Sequence, residues 1–484
     1  MAVNQNDMNE FENKQAAVIG LARAGLPAAQ FLLERGAHVV GYDSKARQNA
    51  TPEMLALEVA GAELRLGEHG FAGIDECDLV VLSPGLKVHY EPLKSVIERV
   101  EAAGGEVIGE LELASRFCPC PMIAVTGTKG KSTTVKLITE MLRACGVNAV
   151  SAGNTGTPLI SALPQLSADS WAVVEVSSFQ LEKAPTFRPR VAVLLSLLED
   201  HQDYHPDLEQ YWETKLKIFE NQDEKDWPVF NIDDPRVLKE FLKRGGDFGV
   251  ASTCHRLSEF PDIRWFDGQR DDFFIARVWK ENNNWQIMDL PPLGFKVEEG
   301  SLKGQHNQSN IAAALCAVDC AIDVSPHLTQ IAEVIKNFQS LPHRLEFVAQ
   351  KEGVTYVNDS QSTIPDAAIA ALKAFPAPVS LLLGGRAKIA AESYQNLMRA
   401  VREANAKIYL FGEAAGLLEE VAHRESVENL CIFRENTLAE VLQLAKMKST
   451  SGETIVLSPA CASFDQFSSY EDRGETFRRL VHAL

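Results

Sequence analysis

The chain has 484 residues, of which 45% are hydrophobic and 23% charged, enough for about three globular domains of ~150 residues each. Its formal net charge of −19 excludes a general binder of nucleic acid or of anionic membranes, because such surfaces are basic. A phosphorylated small substrate is compatible with this charge, since a few local lysines and arginines suffice to bind it.

The first predicted elements alternate between strand and helix. Residues 15–44 contain an apolar run, a glycine turn, an amphipathic helix and a second apolar run that ends at Asp43. The apolar run of 78–86 ends in a Ser-Pro-Gly turn, and residues 92–117 read as helix, strand and helix. This alternation predicts α/β architecture with a parallel sheet. We place a Rossmann-like N-terminal domain at residues 1–119, where a segment with two prolines marks its end.

A phosphate-binding loop is predicted at the start of the central region. Residues 123–138 read IAVTGTKGKSTTVKLI, an apolar strand, a glycine-rich turn and a helix, although the loop is two residues shorter than the common phosphate loop. The glycines let backbone N–H groups face an anion, and the positive end of the helix dipole adds to the attraction. Lys131 can reach terminal phosphates, and Ser132 or Thr133 can offer a hydroxyl to Mg²⁺. The alternative is a plain strand-turn-helix with an exposed lysine.

Strands and helices continue to alternate through the rest of the chain. The predicted elements are strands at 171–182, 190–201 and 229–234, helices at 210–220 and 306–318, and short antiparallel strands between 250 and 300 at the domain edge. Further apolar segments predict a third α/β region. We therefore predict a central P-loop-type ATPase domain with a mostly parallel sheet at 120–340 and a Rossmann-like C-terminal domain at 341–484.

Neither membrane insertion nor export is predicted. The longest apolar runs, such as 191–198, are too short to cross a bilayer, and the polar, acidic N-terminal stretch lacks the features of a signal peptide. The nine cysteines are scattered without the spacing of a zinc site, which favours reduced thiols. We expect a cytoplasmic monomer without a nucleic-acid partner.

Several short motifs occur in one order along the chain. They are the loop at 127–132, GNTG (153–156), EVSSFQLE (175–182), EDHQDYH (199–205), KLKIFEN (215–221), HNQSN (306–310), LPHR (341–344), NDS (358–360) and LSPACASFDQF (457–467). In these motifs the chain resembles the Mur ligases, ATP-dependent enzymes that extend the muramoyl peptide of bacterial cell-wall precursors. The resemblance implies ATP and Mg²⁺ as cofactors. It further implies addition of D-glutamate to UDP-N-acetylmuramoyl-L-alanine through an acyl phosphate, in cytoplasmic peptidoglycan precursor synthesis.

The resemblance also assigns residues to ATP, metal and catalysis. For ATP it implies Gly127, Thr128, Lys129, Gly130, Lys131, Ser132, Thr133, Asn307, Asn310, Arg344 and Asp359. For two Mg²⁺ sites it implies Ser132, Glu175, His201 and Lys215, with a carbamylated Lys215 that carries a carboxylate-like anion. The expected catalytic residues are Lys131, His201, Lys215 and Lys388. Without the resemblance, Glu175 is equally a surface acid, His201 a structural histidine, Lys215 a solvated helix lysine, and the two asparagines part of a helix cap.

The substrate sites follow from the same comparison of motifs. For the UDP-sugar the resemblance implies Arg23, Ala24, Asp43, Ser44, Lys45, Ser83, Pro84, Gly85 and Asn154. For glutamate it implies Thr363, Lys388, Ser458, Ser463 and Phe467. The turn GLARAG (20–25) is also compatible with a dinucleotide-binding fold, but its glycines lack that fold's G-x-G-x-x-G spacing.

The glutamate site departs from the family pattern NDSKATN. Residues 358–364 read NDSQSTI, so Gln361 stands where the family has lysine and Ile364 where it has asparagine. A neutral amide in place of lysine removes a charge-assisted hydrogen bond to the amino acid, ~1.5–3 kcal/mol. Glutamate is still predicted, and L-glutamate, with inversion left to a separate epimerase, is the first alternative. Lys129, where the family loop has asparagine, is a smaller departure.

Three other functions compete with this interpretation. Another Mur-type ligase or a folylpolyglutamate-type ligase would share the phosphate loop, but the folylpolyglutamate type would lack the N-terminal UDP-sugar domain. An NAD-dependent dehydrogenase built on residues 15–44 leaves the central motifs unexplained. A non-catalytic nucleotide-binding regulator has no need of the full set Lys131, Glu175, His201, Lys215 and Lys388.

Overall fold

The structure, a computed structural model, contains three α/β sheets, which confirms the predicted three-domain fold class. It describes residues 10–67, 70–200, 204–243, 248–252, 274–281, 284–289, 302, 305–338, 342–427 and 432–484. The chain divides into two compact units, Met1–Leu293 with Ser309–Val334 and Gly294–Gln308 with Ile335–Leu484. The first unit holds two of the sheets, and the boundaries at 119 and 340 stay predictions.

The N-terminal sheet consists of parallel strands separated by helices. Its strands are β1 Gln15–Ile19, β2 His38–Asp43, β3 Glu63–Leu66, β4 Leu79–Leu82 and β5 Glu106–Gly109. Its helices are α1 Gly25–Glu34, α2 Pro52–Val59, α3 Leu93–Ala102 and α4 Glu110–Arg116. The spatial order is β3-β2-β1-β4-β5, so the direction of strand addition reverses at β1. Ligands of open α/β sheets bind at the carboxyl ends of the strands beside such a reversal.

Strand β1 is buried on both faces. Ala16 and Val18 belong to one apolar cluster, whereas Ala17 and Ile19 belong to another. A strand with helices packed on both faces of its sheet has this continuous apolar run instead of an alternating pattern. The sequence QAAVI is therefore explained by its central place in the sheet.

The central sheet is parallel except at one edge. Its strands are β6 Met122–Thr126, β7 Asn148–Gly153, β8 Ser170–Glu175, β9 Val191–Leu194, β10 Trp227–Asn231, β11 Phe248–Ser252, β12 Phe274–Glu281 and β13 Asn284–Asp289. Its helices are α5 Lys131–Ala144, α6 Leu159–Ala162, α7 Ser178–Leu181, α8 Leu208–Leu216, α9 Pro235–Lys243, α10 Gln305–Ala321 and α11 Leu328–Asn337. The order is β13-β12-β11-β10-β9-β6-β8-β7. The antiparallel strands β12 and β13 confirm the predicted edge strands, and residues 253–273 and 290–301 lie outside the described residues.

The position of β6 in this sheet determines where the candidate site lies. Strand β6 runs parallel to both β8 and β9, with Val125 opposite Glu175 and Thr126 opposite Leu194. The carboxyl ends of parallel strands meet at one edge of a sheet. The loop after β6, the acid that ends β8 and the chain that follows β9 therefore lie together.

The C-terminal sheet combines a hairpin with parallel strands. Its strands are β14 Glu346–Lys351, β15 Val354–Asn358, β16 Val379–Gly384, β17 Lys407–Phe411, β18 Ile432–Arg434 and β19 Thr454–Leu457, in the order β14-β15-β19-β16-β17-β18. Its helices are α12 Pro365–Lys373, α13 Gln395–Glu403, α14 Ala415–Arg424, α15 Leu438–Lys448 and α16 Tyr470–Ala483. Only the β14–β15 pair is antiparallel among these described strands. In the described part of the chain, no helix has both the length and the apolar character that a membrane crossing needs.

Candidate active site

The phosphate loop between β6 and α5 is held by the chain that follows β9. The N–H of Thr128 donates to the carbonyl of Ser196 at 2.9 Å, and the N–H of Lys129 donates to the Ser196 hydroxyl at 3.1 Å. The Thr128 hydroxyl accepts from the N–H of Leu198 at 3.0 Å and donates to the Leu198 carbonyl at 3.2 Å. These hydrogen bonds hold the phosphate loop in its conformation against the chain that follows β9.

Two glycines of the loop are required by its close packing. Gly127 and Gly130 have φ angles of +148° and +88°, which side-chain-bearing residues rarely adopt. A Cβ on Gly127 would lie 2.9 Å from the Cβ of Leu195, and a Cβ on Gly130 would overlap the side-chain amide of Asn310. Asn310, predicted to contact ATP, therefore lies directly against the loop.

Two lysines converge on the loop at Gly127. The Lys131 ammonium donates to the Gly127 carbonyl at 2.8 Å and to the Thr128 carbonyl at 3.2 Å. Lys215, from α8, donates to the same Gly127 carbonyl at 3.2 Å, and its nitrogen lies 4.6 Å from the centre of the Tyr211 ring. Two of the three predicted catalytic lysines are thus brought to one acceptor atom.

Lys215 is in an environment that disfavours its charged form. The residue is only 2% exposed, so it is a buried lysine and not a solvated one. Burial lowers its pKa well below the usual value, and the nearby Lys131 ammonium lowers it further, although Asp200 and Glu175 act in the opposite direction. A lysine with a depressed pKa supplies a neutral, nucleophilic amine.

Glu175 presents a buried carboxylate beside the loop. It is 3% exposed and accepts hydrogen bonds from the Asn154 amide at 2.9 Å, the Thr155 hydroxyl at 2.8 Å and the Ser132 hydroxyl. Burial raises the pKa of Glu175, but the Lys131 ammonium and these three hydrogen bonds more than offset that effect, so the pKa is lowered overall. Carboxylate and hydroxyl oxygens are the hard ligands that Mg²⁺ prefers, so Glu175 and Ser132 fit that ion.

Asn154 connects the predicted sugar-nucleotide residues to Glu175. The guanidinium of Arg23 donates to the Asn154 carbonyl, and the N–H of Asn154 donates to the Glu175 carbonyl at 2.8 Å. Residues from the N-terminal and the central sheet are therefore in one chain of contacts within the first unit. This arrangement brings Arg23 and Asn154, predicted for the UDP-sugar, close to Glu175, predicted for the metal.

The turn after β1 is held by two of the residues predicted for the UDP-sugar. Asp43 accepts from the N–H of Leu21 at 2.8 Å and from the N–H of Lys45 at 2.9 Å. The hydroxyl of Ser83 donates to the carbonyl of Gly20 at 2.6 Å. Ser44 and Lys45 are exposed, and Ala24 immediately precedes α1.

A pocket that sequence reasoning only partly anticipated lies beside this turn. Its lining includes the predicted Ser83, Pro84 and Gly85, and in addition Gln180 and Glu110. Glu110 is 1% exposed, and one of its oxygens accepts from the N–H of Ile160 at 2.8 Å, while the other has no hydrogen-bond partner among the described residues. Burial raises the pKa of Glu110 to about 7. No local motif distinguishes Glu110 from the neighbouring acids of its helix.

The second unit contains the predicted glutamate residues. The Lys388 ammonium lies 3.4 Å from the Thr363 hydroxyl, so these two are brought together. The hydroxyl of Ser458 is fully buried and donates to Asp359 at 2.8 Å. Ser463 is also buried, and Phe467 is half-buried against an apolar cluster of the C-terminal sheet.

Asp359 and Gln361 organise the segment that carries Arg344. The buried carboxylate of Asp359 accepts from the Ser362 and Ser458 hydroxyls and from the N–H of Leu345 at 3.1 Å. Burial raises its pKa to about 6 in spite of these contacts. Gln361 accepts from the Arg344 guanidinium, a contact that the sequence did not predict.

His201 and Asn307 were also predicted to contact the metal and ATP. His201, expected to bind metal, lies outside the described residues. Asn307 lies one turn before Asn310 on α10, and both are buried, so neither is the exposed amide of a helix cap. The assignments of individual residues to ATP, metal, sugar and glutamate stay predictions.

The loop and the parallel sheet around it define a P-loop-type nucleotide-binding protein. Two family models match the chain: the Mur ligase middle domain over residues 125–318 and the Mur ligase MurD-like N-terminal domain over residues 14–109. The chain belongs to the Mur ligase family, whose members are ATP-dependent ligases. The predicted enzyme class is therefore confirmed, and the dehydrogenase interpretation is rejected.

Individual relatives match over the full length. A UDP-N-acetylmuramoylalanine–D-glutamate ligase of Pelotomaculum thermopropionicum is 38% identical over 477 residues, covering 99% of both chains. One of Koribacter versatilis is 37% identical over 481 residues and 98% of both chains. The crystal structure of the MurF ligase from Thermotoga maritima in complex with ADP has a TM-score of 0.54 and 16% identity, over 99% of this chain and 100% of that one. This last similarity supports the fold alone.

Proposed function

We propose that the chain adds D-glutamate to UDP-N-acetylmuramoyl-L-alanine, with ATP, in the synthesis of peptidoglycan precursors. Relatives named for this reaction match the chain from end to end. Independent support comes from the structure, in which Lys131, Lys215 and Glu175 converge on the phosphate loop.

The chemistry explains why such a cluster is needed. A carboxylate is a poor electrophile, and transfer of the γ-phosphoryl group of ATP converts it into an acyl phosphate that the amine of glutamate attacks. The carboxylate and the γ-phosphate must first approach, and two unit charges at ~4 Å repel by roughly 4 kcal/mol at an effective dielectric near 20. Lys131, held against the loop by two carbonyls, offsets this repulsion and stabilises charge that develops on the transferred group.

Lys215 fits the role of a carbamylated metal ligand. Carbamylation joins the neutral amine nitrogen to the carbon of CO₂ and releases one proton, so it requires an unprotonated lysine. Burial and the Lys131 charge lower the pKa of Lys215 and so favour the neutral form. The resulting carbamate, with Ser132 and Glu175, would hold Mg²⁺, which neutralises phosphate charge when it is bound.

The substrate residues are proposed on the same basis. Asp43 and Ser83 hold the turn that carries Arg23 and that would bind the UDP portion, and the pocket with Glu110 adjoins it. Lys388 and Thr363, which are in contact, would bind a carboxylate of glutamate. A cytoplasmic location and a monomeric state stay predictions.

The deciding experiment is a ligation assay with each enantiomer of glutamate. The protein is incubated with UDP-N-acetylmuramoyl-L-alanine, ATP and Mg²⁺, and both phosphate release and product mass are measured. Product with D-glutamate is expected. Product with L-glutamate alone would retain the reaction but change the amino acid, and no product with either enantiomer would refute the proposed function.

A further inference from the structure

Arg344 stands on a backbone turn of unusual conformation. The residues on both sides of it, His343 and Leu345, have φ angles of +63° and +43°. Residues other than glycine rarely occupy this region, and they persist there only where the surrounding structure imposes it. Such conformations are concentrated at sites that bind or react.

The turn is imposed by hydrogen bonds from several directions. The N–H of His343 donates to Glu346 at 2.8 Å, and the N–H of Leu345 donates to the Asp359 carboxylate at 3.1 Å. The Asn358 amide donates to the His343 ring at 2.9 Å. The half-buried Glu346 and the buried Asp359 thus hold the backbone on the two sides of Arg344, and the buried Asn358 holds the His343 ring.

Gln361 contacts both the backbone of this turn and its arginine. Its N–H donates to the His343 carbonyl at 3.0 Å, and its side-chain oxygen accepts from Nε of Arg344 at 2.8 Å. The contact needs an acceptor at position 361. A lysine there, the residue of the family pattern, has no acceptor and would repel the guanidinium.

We propose that Gln361 is a positioning residue for Arg344 and acts on ATP binding, not on glutamate binding. This inference rests on the proposed function for the assignment of Arg344 to ATP. The amide orients the guanidinium through Nε and, being neutral, adds no charge that would compete with a phosphate. The glutamine that replaces the family lysine therefore changes how Arg344 is held. On this proposal its effect is on ATP binding and not on glutamate binding.

A double-mutant cycle tests this coupling. The variants are Gln361→Met, which keeps the size but removes the acceptor, Arg344→Ala and the double variant, with Gln361→Lys as a fourth protein. Gln350→Met, the same change at an exposed position of β14, is the matched control. The measurements are the Kd for ATP by calorimetry, KM for ATP and for glutamate, and the melting temperature.

Gln361→Met is expected to raise the Kd for ATP about tenfold, the value of one hydrogen bond to a charged group, with KM for glutamate unchanged. Gln361→Lys is expected to raise it at least as much, and Gln350→Met to have no effect. In the Arg344→Ala background, Gln361→Met is expected to add nothing, because it acts through the arginine. A purely structural role would lower the melting temperature and change both KM values together.

Three results would overturn the proposal. They are an effect of Gln361→Met that persists without Arg344, an unchanged Kd for ATP in Arg344→Ala, and tighter glutamate binding by Gln361→Lys with ATP binding unchanged. Failure of the wild-type protein to ligate glutamate would refute the proposed function instead. The double-mutant cycle on the Kd for ATP needs no ligation activity, so it can still be measured in that case. A failure of the proposed function is therefore distinguishable from a failure of the role proposed for Gln361.

Discussion

The side-chain nitrogens of Lys131 and Lys215 donate to the same carbonyl oxygen, that of Gly127, at 2.8 and 3.2 Å. Two cations on one acceptor repel each other, and Lys215 is the more deeply buried of the two. Burial, with the nearby Lys131, lowers the pKa of Lys215 well below its usual value. Burial and the neighbouring Lys131 therefore favour the neutral form of Lys215, which is the form that the proposed carbamylation requires.

Replacement of Lys215 by alanine is expected to reduce kcat by about 10²-fold or more, since it removes an anionic group from the transition-state environment. Short carboxylic acids such as acetate should restore part of the activity by occupying the position of the carbamate. Lys217→Ala, an exposed lysine two residues further along, is the control and should retain full activity. Loss of activity without rescue by any short acid would argue against the carbamate.

Glu175→Gln keeps the size of the side chain but removes its charge. We expect kcat to fall by about 10²-fold and the Mg²⁺ concentration for half-maximal activity to rise, because a carboxylate binds the ion far better than an amide. Titration of activity with Mg²⁺ measures both effects. Glu213→Gln, an exposed acid on α8, should behave like the wild type. An unchanged Mg²⁺ requirement in Glu175→Gln would remove Glu175 from the metal site.

The phosphate loop could be predicted because its signal is local. A strand, a glycine turn and a helix follow one another within residues 123–138, and each has its own residue pattern. The position of Glu175 beside the loop depends on the order of the strands, because β6 lies between β8 and β9. Hydrophobic periodicity does not indicate the order of strands in a sheet. Glu175 was therefore placed beside the loop from the order of motifs that the chain shares with the family.

Other contacts had no signal in the sequence. Gln361 and Arg344 are 17 residues apart, and Glu110 and Ile160 are 50 apart, so no helix or strand period relates them. The sequence predicted a lost glutamate contact at Gln361 from the missing lysine charge alone, and it gave no indication of the hydrogen bond with Arg344. Its partner became visible only when the turn around Arg344 was seen.

Glu110 is expected to make stability depend on pH. Its pKa is raised from 4.5 to about 7 by burial, so the folded protein binds more protons than the unfolded chain between these values. Stability therefore falls as pH rises through this interval, by ~3 kcal/mol in total at 1.36 kcal/mol per pKa unit.

Melting temperatures at pH 5 and pH 8 measure this effect. The wild-type protein should lose more stability between these values than Glu110→Gln, which cannot ionise. Glu98→Gln, an exposed acid of α3, should follow the wild type. Equal pH dependence in Glu110→Gln and the wild type would show that Glu110 ionises normally.

Cys118 is expected to be a reactive thiol. Its sulfur lies 3.8 Å from that of Cys120, and the hydrogen bond between the two thiols lowers the pKa of Cys118. Alkylation by iodoacetamide at pH 7.5, followed by peptide mass analysis, should modify Cys118 faster than Cys145, whose pKa is raised by burial. Cys120→Ala should slow the reaction at Cys118, and an unchanged rate would contradict the role of the hydrogen bond.

Transfer of oxygen from the sugar-linked carboxylate to phosphate tests the acyl-phosphate reaction most directly. UDP-N-acetylmuramoyl-L-alanine labelled with ¹⁸O in its carboxylate is incubated with the protein, ATP, Mg²⁺ and D-glutamate. The inorganic phosphate is then analysed by mass. We predict one ¹⁸O atom in each phosphate released with product, because phosphorylation joins the carboxylate oxygen to phosphorus and the attack of the amine leaves that oxygen on phosphate. Product formed with unlabelled phosphate would contradict the mechanism.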